Sequence, residues 1–431
     1  MEDEVFDAIV VGGGVAGCVT AYQLARAGRS VALLERGAVP GSKNLSGGVF
    51  YWRVLQEVFP DFLESAPIER RITRNCLSLL NESSCVTVDY WDARLAEPVN
   101  AVSVLRARLD AWLAEQCEEA GVAVLSGVRV DGLLRHGDAV VGVRAEDEEL
   151  AARVVILADG VNSFLARDAG IRAKEPTKHL AVGIKSVLGI PAQRLEERFG
   201  LADGEGTAYA VVGDCTQGVA GGGFLYTNSD SISVGVVLRL DDLAASGRSA
   251  SDIHDHFLSH PVIARLVAGG TLLEYGSHLT IEAGPQVASQ DLTRPGLMLV
   301  GDAAGFTLNT GFTIRGMDLA AASGLAAARA ADAALTDGDY SQQSIDRYRA
   351  ELAATFVGRD LKTYAKAPAF FENRSLYREA GLLVADIMHG IYDLDTSPHA
   401  HLRDIVRRAV SDSDLGWRQL AGLVLGGMRS L

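Results

Sequence analysis

Three segments of this 431-residue chain combine glycine with an acidic residue close to an apolar stretch. In the first, an apolar stretch over 8–11 runs into Gly12, Gly14 and Gly17. Gly12 permits a tight turn, Gly14 lets the backbone approach a pyrophosphate, and Gly17 lets the following helix pack on the strand. A second apolar stretch, 31–34, ends in Glu35, whose carboxylate would accept a hydrogen bond from a ribose hydroxyl. The helix start would offer its unpaired N–H groups to the phosphates.

Two further segments each follow an apolar stretch that predicts a buried strand. Asp159 and Gly160 come after 154–157, and Gly301 and Asp302 come after 296–300. Glycine at 160 permits a tight turn against a ligand, and the carboxylate of Asp302 would accept hydrogen bonds from ribityl hydroxyls. Each is an ordinary strand-to-helix turn by itself. Together with the first segment they predict an FAD site.

Elements that would position these turns can be predicted from hydrophobic periodicity. Helices are expected over 103–120 and 315–335, and a small meander of strands over 122–157. β-branched runs between 180 and 275, with one helical insertion at 253–268, predict an antiparallel sheet. The predicted fold class is α/β, with a Rossmann-type FAD-binding domain, an inserted antiparallel-sheet substrate domain and a helical C-terminal region. The expected boundaries are 1–177 and 285–338 for the FAD-binding domain, 178–284 for the substrate domain and 339–431 for the helical region.

Composition and charge narrow the class of protein. The formal net charge is −15, which argues against a nucleic-acid partner and against electrostatic docking on an anionic membrane. The five cysteines show no C-x-x-C spacing, so no metal or iron–sulfur site is expected. We expect the cysteines to be reduced thiols packed in the interior. With no signal segment and no apolar run of 18 residues, a cytoplasmic protein is predicted. Peripheral contact with the cytoplasmic membrane stays open through the apolar stretches 219–226 and 420–428, which could equally be buried.

Longer peptides resemble one family, FixC and the electron transfer flavoprotein:quinone oxidoreductases, within the geranylgeranyl reductase and flavin hydroxylase superfamily. The resemblance spans nearly the whole chain. The peptides that carry it are 35–37 with 40–44, 59–62, 66–70, 221–226, 274–278, 313–318 and 361–364.

The resemblance implies an FAD site residue by residue. It places Gly12, Gly14, Ala16, Gly17, Glu35 and Arg36 at the adenosine and pyrophosphate, Val130 at the adenine, and Gly160, Gly301 and Asp302 at the ribityl and phosphate groups. Gly47 and Gly48 would lie beside the isoalloxazine, and Gly311, Phe312 and Thr313 at its pyrimidine edge. Arg106 matches the family arginine that reaches the flavin phosphates; the alternative is a surface arginine paired with Asp110 four residues on.

The same resemblance implies partners and an electron acceptor. Gly221 and Gly222, next to Phe224, match the quinone-facing glycines of the family, and an apolar groove suits a lipid-soluble quinone. The mitochondrial type carries a cysteine-bound cluster after this point, whereas the present chain has no cysteine after Cys215. FixC-type proteins also lack that cluster and work with a FixX-like ferredoxin and a two-chain electron transfer flavoprotein.

A helix start near 312–316 would present N–H donors to the electron-rich edge of reduced flavin. Arg315 could add to that field, or form only a salt bridge at the helix start.

Three functions stay open from the sequence. The first is transfer of electrons from an electron transfer flavoprotein to a quinone. The second is a stand-alone flavin reductase or dehydrogenase of an isoprenoid or other small substrate. The third is a subunit whose flavin mainly supports an assembly.

Overall fold

The structure is a computed structural model that describes residues 5–42, 47–288 and 290–431. Residues 43–46, which include the end of the peptide 40–44 named above, lie outside the described residues. The strands, in chain order, are β1 (Phe6–Val11), β2 (Val31–Glu35), β3 (Gly47–Phe50), β4 (Ile68–Leu80), β5 (Cys85–Trp91), β6 (Val102–Leu105), β7 (Ala123–Ser126), β8 (Val130–His136), β9 (Ala139–Ala145), β10 (Glu148–Leu157), β11 (Leu180–Gly189), β12 (Glu205–Gly213), β13 (Gly221–Thr227), β14 (Ser231–Arg239), β15 (Thr271–Ile281), β16 (Thr293–Arg294), β17 (Leu297–Leu299), β18 (Leu308–Asn309) and β19 (Ile314–Arg315).

Helices cover the first sheet, flank the second and fill the C-terminal part of the chain. They are α1 (Val15–Arg26), α2 (Phe62–Ser65), α3 (Arg106–Glu119), α4 (Phe164–Asp168), α5 (Ala192–Phe199), α6 (Leu240–Ser246), α7 (Ala250–Ser259), α8 (Pro261–Val267), α9 (Gly284–Ala288), α10 (Met317–Asp337), α11 (Gln342–Ile345), α12 (Arg347–Ala354), α13 (Phe356–Thr363), α14 (Ala367–Phe370), α15 (Glu379–Tyr392), α16 (Leu402–Asp412) and α17 (Trp417–Ser430).

The first sheet is mainly parallel. Its strands lie in the order β16-β17-β10-β1-β2-β7, and β17, β10, β1, β2 and β7 run parallel. β8 and β9 extend it as the predicted meander. The central strands are apolar and fully buried because helices cover the sheet. The carboxyl ends of β1, β2, β10 and β17 therefore meet at one edge, where open α/β sheets bind ligands.

Small residues let α10 lie against α1. A Cβ on Gly324 would be 2.6 Å from the carbonyl oxygen of Ala16, and Thr20 Oγ1 lies 3.3 Å from the carbonyl oxygen of Gly324. Alanine and glycine along α10 thus permit a close helix–helix contact, which helps to fix the position of α1.

The second sheet lies in the order β15-β11-β14-β13-β12-β4-β6-β3, with β5 on β4. Its pairs are antiparallel apart from β4 with β12, which is parallel. This sheet was predicted within 178–284, but strands from 47–105 complete it. Apolar and polar residues mix along β4, and its pairing with β12 joins segments far apart in sequence, so local periodicity did not predict these strands.

Two helix predictions need correction at their boundaries. The helix expected over 103–120 begins at Arg106, because Val102–Leu105 pairs with β3 and β4 as β6. The single helical insertion at 253–268 is two helices, α7 and α8, which meet at His260. Pro261 has no N–H to continue α7 and forces an extended backbone on the residue before it.

The α/β fold class is confirmed, and the region 339–431 is helical, with α11–α17. Within the described parts of the chain, none of the helices combines the length and apolar character needed to cross a bilayer. The stretch 219–226, considered for membrane contact, is a mostly buried strand region. In the stretch 420–428, by contrast, Val424, Leu425 and Met428 are exposed on α17.

Candidate cofactor and substrate cavity

The turn between β1 and α1 accepts only glycine at two positions. Gly12 has φ of +109°, and a Cβ there would lie 2.3 Å from the carbonyl oxygen of Ala158. A Cβ on Gly17 would lie 1.9 Å from the carbonyl oxygen of Gly12. Gly14 differs, since its Cβ would meet only Arg106 Nη2, at 3.4 Å. The first and third glycines therefore close the turn, and the second leaves the helix start open.

Glu35, at the end of β2, holds the turn from its neighbouring strand. Its Oε2 accepts a hydrogen bond of 2.9 Å from the Gly13 N–H, and its Oε1 accepts one of 2.5 Å from the Gly37 N–H. A carboxylate oxygen has two lone pairs, so each can accept another bond from a hydroxyl group. The carboxylate is thus oriented by the backbone and still available to a ligand.

Arg106 forms the ion pair with Asp110 that was the alternative prediction, and its guanidinium also lies near the start of α1. Its Nε and Nη2 donate to Asp110 at 2.7 and 2.6 Å, and Asp110 is fully buried. The same guanidinium lies beside Gly14, at the start of α1. The ion pair with Asp110 therefore keeps the positively charged guanidinium of Arg106 beside Gly14, where the turn is open toward the cavity.

The other two turns lie across the same sheet edge. Asp302 follows β17; burial raises the pKa of its carboxyl, and the charge of Arg106 opposes that rise. Asp159 follows β10 and accepts a 2.9 Å hydrogen bond from Ser163 Oγ; burial raises its pKa to about 6, against that hydrogen bond. Gly160 has φ of +79°, and a Cβ added there would have no atom within 4 Å, so its turn is open.

One continuous cavity of about 1340 Å³ connects these turns to the second sheet. This volume exceeds the ~300–1,000 Å³ typical of a single small-ligand site, so it has room for a dinucleotide and a second molecule. The predicted site residues on its wall are Gly12, Gly14, Ala16, Glu35, Arg36, Gly47, Gly48, Arg106, Val130, Gly160, Gly221, Gly222, Phe224, Gly301, Asp302, Gly311, Phe312 and Thr313. Gly17 is not on the wall, because it packs against the turn.

The glycines predicted near the isoalloxazine have structural reasons of their own. A Cβ on Gly47 would lie 2.1 Å from the carbonyl oxygen of Val104, so β3 needs glycine there to pair with β6. Gly48 is near Met317, whose Cε would be 3.1 Å from the added Cβ. Gly311 has φ of +79°, and its N–H donates to the Asn309 side chain at 2.8 Å. These residues bring β3 and the start of α10 to the same cavity wall.

Arg315 forms salt bridges rather than facing the cavity alone. Its guanidinium lies 2.6 Å from Asp318 and 2.5 Å from Asp360. It also lies 5.3 Å from the centre of the Phe356 ring. The helix α10 begins at Met317, so Arg315 precedes its first turn and joins that turn to α13.

The cavity-facing side of the second sheet carries two residues that were not predicted as site residues, Lys185 and His278, beside the predicted Phe224. Phe224 on β13 pairs with Gly235 on β14, which pairs in turn with Lys185 on β11. His278 on β15 pairs with Gly183, two residues from Lys185 on the same face. Lys185 and His278 both line the cavity. The signal that could have found Lys185 is its position as the one charged residue within 180–189.

The chemistry of the wall suits the FAD that the sequence predicts. The N-terminus of α1 and the guanidinium of Arg106 offer N–H donors and positive charge to phosphates. Glu35 and Asp302 offer acceptors to hydroxyl groups, from two strand ends of the same sheet. The residues present therefore fit a dinucleotide in type and placement.

Comparisons with known proteins agree with this chemistry. A family model described as FAD dependent oxidoreductase matches residues 7–83. A probable electron transfer flavoprotein-quinone oxidoreductase, YdiS of Escherichia coli (strain K12), is 46% identical over 94% of this chain and 95% of its own length. Protein FixC of the same strain is 41% identical over 95% of each chain. A geranylgeranyl bacteriochlorophyll reductase-like structure from Thermoplasma acidophilum has a TM-score of 0.73, at 19% identity, and covers 98% of this chain and 99% of its own, which shows a shared fold.

Proposed function

This chain belongs to the family of FixC proteins and electron transfer flavoprotein-quinone oxidoreductases, and from that premise we propose that it passes electrons from a two-chain electron transfer flavoprotein to a quinone. It is an FAD-dependent oxidoreductase. The observation that carries the proposal is the single cavity that runs from the fingerprint turn to the apolar face of β13. Such a cavity would hold the cofactor and its electron acceptor side by side.

FAD would be held by the residues that converge on the first sheet's edge. The start of α1, with Gly12 and Gly14, and the guanidinium of Arg106 would bind the pyrophosphate, while Glu35 and Asp302 would accept hydrogen bonds from ribose and ribityl hydroxyls. The backbone at Val130 would meet the adenine. When bound, FAD supplies reversible two-electron chemistry, so no protein nucleophile is required.

The quinone would lie against β13. Gly221 has φ of +146°. Gly222 and Phe224 are two residues apart on β13, on the face that lines the cavity. Phe224 stacks on Tyr226, with ring centres 5.1 Å apart and planes 18° from parallel. This flat apolar surface favours a planar ring over a charged substrate.

The protein partners follow from the redox chain that this family serves. A two-chain electron transfer flavoprotein would deliver electrons, and a FixX-like ferredoxin would supply the cluster that this chain has no cysteines to bind after Cys215. All five cysteines are free thiols, and four are buried. The cluster would therefore belong to the partner.

Contact with a membrane surface would give access to a lipid-soluble quinone. Trp417, Val424, Leu425 and Met428 are exposed on α17. We expect the protein to sediment with zwitterionic phosphatidylcholine vesicles, and we expect the variant Leu425→Gln/Met428→Gln to lose that binding. Equal sedimentation of both proteins would show that α17 does not mediate contact.

The main experiment mixes the FAD-loaded protein, without oxygen, with reduced two-chain electron transfer flavoprotein and a water-soluble short-chain quinone. Quinol formation is followed by absorbance, with and without a FixX-like ferredoxin. We expect quinone reduction that requires the FAD-loaded protein, and slower reduction in Phe224→Ala. No quinone reduction under either condition would refute the proposal and favour a stand-alone reductase.

A further inference from the structure

Lys185 and His278 form a polar end to the apolar part of the cavity. Gly183 pairs with His278, and Lys185 pairs with Gly276, so the two side chains are diagonal neighbours on one face of β11 and β15. Diagonal neighbours in an antiparallel pair have Cα atoms about 7–8 Å apart, within reach of a long side chain. A Cβ on Gly183 would lie 3.4 Å from His278 Cε1, which places the imidazole over the glycine.

The ammonium of Lys185 is placed beside the surface proposed for the quinone. Gly235 lies between Lys185 and Phe224 in the sheet, and a Cβ on Gly235 would be 2.8 Å from both Lys185 Cβ and Phe224 Cζ. The absence of a side chain at 235 therefore brings the lysine stem and the phenyl ring together. The stem packs as an apolar group, and the amine can extend into the cavity.

Neither polar group is used by the protein itself. Throughout the described ranges, no hydrogen bond or ion pair within 4.0 Å engages Lys185 Nζ or the imidazole of His278. A lysine in a partly buried position normally has an acidic partner, because desolvation of an ammonium is costly. An unengaged lysine on a ligand cavity therefore indicates a group that acts on the ligand.

The charged and titratable groups around Lys185 come from two elements, α3 and β15. Burial, then the charge of Arg106 on α3, lowers the pKa of Lys185 to about 7, while Glu274 on β15 opposes this. His278 exposes its ring to the cavity, yet surrounding protein, Lys185 and Arg106 lower its pKa to about 4. The cavity-facing neighbours on β14 and β13, Gly235 and Phe224, do not titrate. These shifts make the Lys185 ammonium a stronger acid than an ordinary lysine and leave the His278 imidazole neutral at neutral pH.

We propose that Lys185 donates a proton to a carbonyl oxygen of the electron acceptor as the acceptor is reduced, with His278 as a neutral hydrogen-bonding neighbour. The assignment rests on the proposed function. Reduction of a quinone to a quinol adds two electrons, taken from reduced FAD, and two protons. One N–H bond of the ammonium breaks as one O–H bond of the quinol forms, and the second oxygen takes its proton from the solvent. The proton that FAD loses on reoxidation is released to the solvent, so protons and charge balance. The neutral amine then regains its proton from solvent.

The decisive comparison uses two electron acceptors, one of which takes no protons. Reduced, FAD-loaded protein is mixed with a soluble quinone or with ferricenium, a one-electron acceptor. General acids contribute about 10²–10⁴-fold to such steps, so we expect Lys185→Gln to slow quinone reduction about 100-fold at pH 7 and to leave ferricenium reduction unchanged. Lys174→Gln, at an exposed lysine, is the matched control.

Lys185→Arg separates charge from proton transfer, because the guanidinium keeps its proton at all accessible pH values. We expect this variant to remain slow with quinone. Recovery of the wild-type rate would overturn the proposal and assign Lys185 an electrostatic role, as would equal slowing of both acceptors by Lys185→Gln. The wild-type quinone rate should fall as pH rises through about 7, because the acid form is lost, and Lys185→Gln should lack that step.

A second readout does not depend on turnover. Acetic anhydride modifies only neutral amines, so peptide mass spectrometry across pH reports the titration of each lysine. We expect Lys185 to become reactive near pH 7, well below the pH of about 10.4 at which an ordinary lysine does so. Ordinary titration of Lys185 would overturn the assignment. Wild-type protein that reduces ferricenium but no quinone would instead refute the proposed function, and the acetylation result would then distinguish the two failures.

Discussion

Replacing Gly17 with alanine tests the reasoning that connects the glycine fingerprint to the cofactor. The added Cβ would lie 1.9 Å from the carbonyl oxygen of Gly12 and 3.2 Å from Ala158 Cβ. Ordinary van der Waals contact begins near 3.4 Å, so α1 must move away from the turn by about 1.5 Å, the difference between 3.4 and 1.9 Å. Both contacts are with the backbone or with a short side chain, so no flexible group can yield in place of the helix.

Helix propensity and overpacking act in opposite directions on the stability of the Gly17→Ala protein. Alanine in a helix interior is favoured over glycine by about 0.5–1 kcal/mol. Overpacking in a close-packed region costs about 1–3 kcal/mol. The net expectation is a loss of stability of about 1 kcal/mol together with at least a tenfold weaker affinity for FAD, since about 1.4 kcal/mol corresponds to tenfold. Affinity falls because the displaced helix start no longer meets the phosphates.

The measurement compares urea unfolding of the FAD-free protein with FAD content after purification and FAD affinity by fluorescence quenching. Gly422→Ala is the matched control, since Gly422 is also inside a helix and has no atom within 4 Å of an added Cβ. We expect that control to bind FAD normally and to gain about 0.5–1 kcal/mol of stability. A Gly17→Ala protein with wild-type stability and full FAD content would refute the steric argument.

Two further perturbations test the electrostatics of the cavity wall. Asp159→Asn should stabilise the FAD-free protein at pH 7 by at most about 3 kcal/mol, since the native pKa is raised from 3.8 to about 6 and each unit is worth about 1.4 kcal/mol. Because the raised native pKa favours the protonated form of the folded protein, the difference in unfolding free energy between variant and wild type should vanish as pH falls below 3.8. If urea unfolding gave the same difference from pH 3.5 to 7, this expectation would be contradicted. Arg315→Ala should cost at most about 3–5 kcal/mol at pH 7, because Asp318 would stay buried without its cation, and it should lower the flavin midpoint potential. An unchanged potential in spectroelectrochemical titration would show that Arg315 does not tune the flavin.

The first sheet and the helices that pack on it were predicted well, because the residues that indicate each of them lie close together in the sequence. The turn at Gly12–Gly17, the acid at Glu35 and the long alanine-rich helix α10 each follow from residues adjacent in sequence. The predicted residue range of the second sheet was wrong where strands pair with partners far away in sequence. β4 and β6 join β12 and β3 across large separations, and nothing in their own periodicity distinguishes them from loop or helix.

The sequence by itself determined that the chain forms a dinucleotide-binding turn, because only glycine satisfies the conformation and close contacts at Gly12 and Gly17. It also determined the family resemblance, which implies a quinone as the electron acceptor. The tertiary structure alone decided which side chains share the cavity. Lys185, His278 and Phe224 come from three strands whose registers put them on one face, and a shift of one residue in any register would turn the side chain away. Register is a property of the assembled sheet, so the proton donor that we propose became visible only in the folded chain.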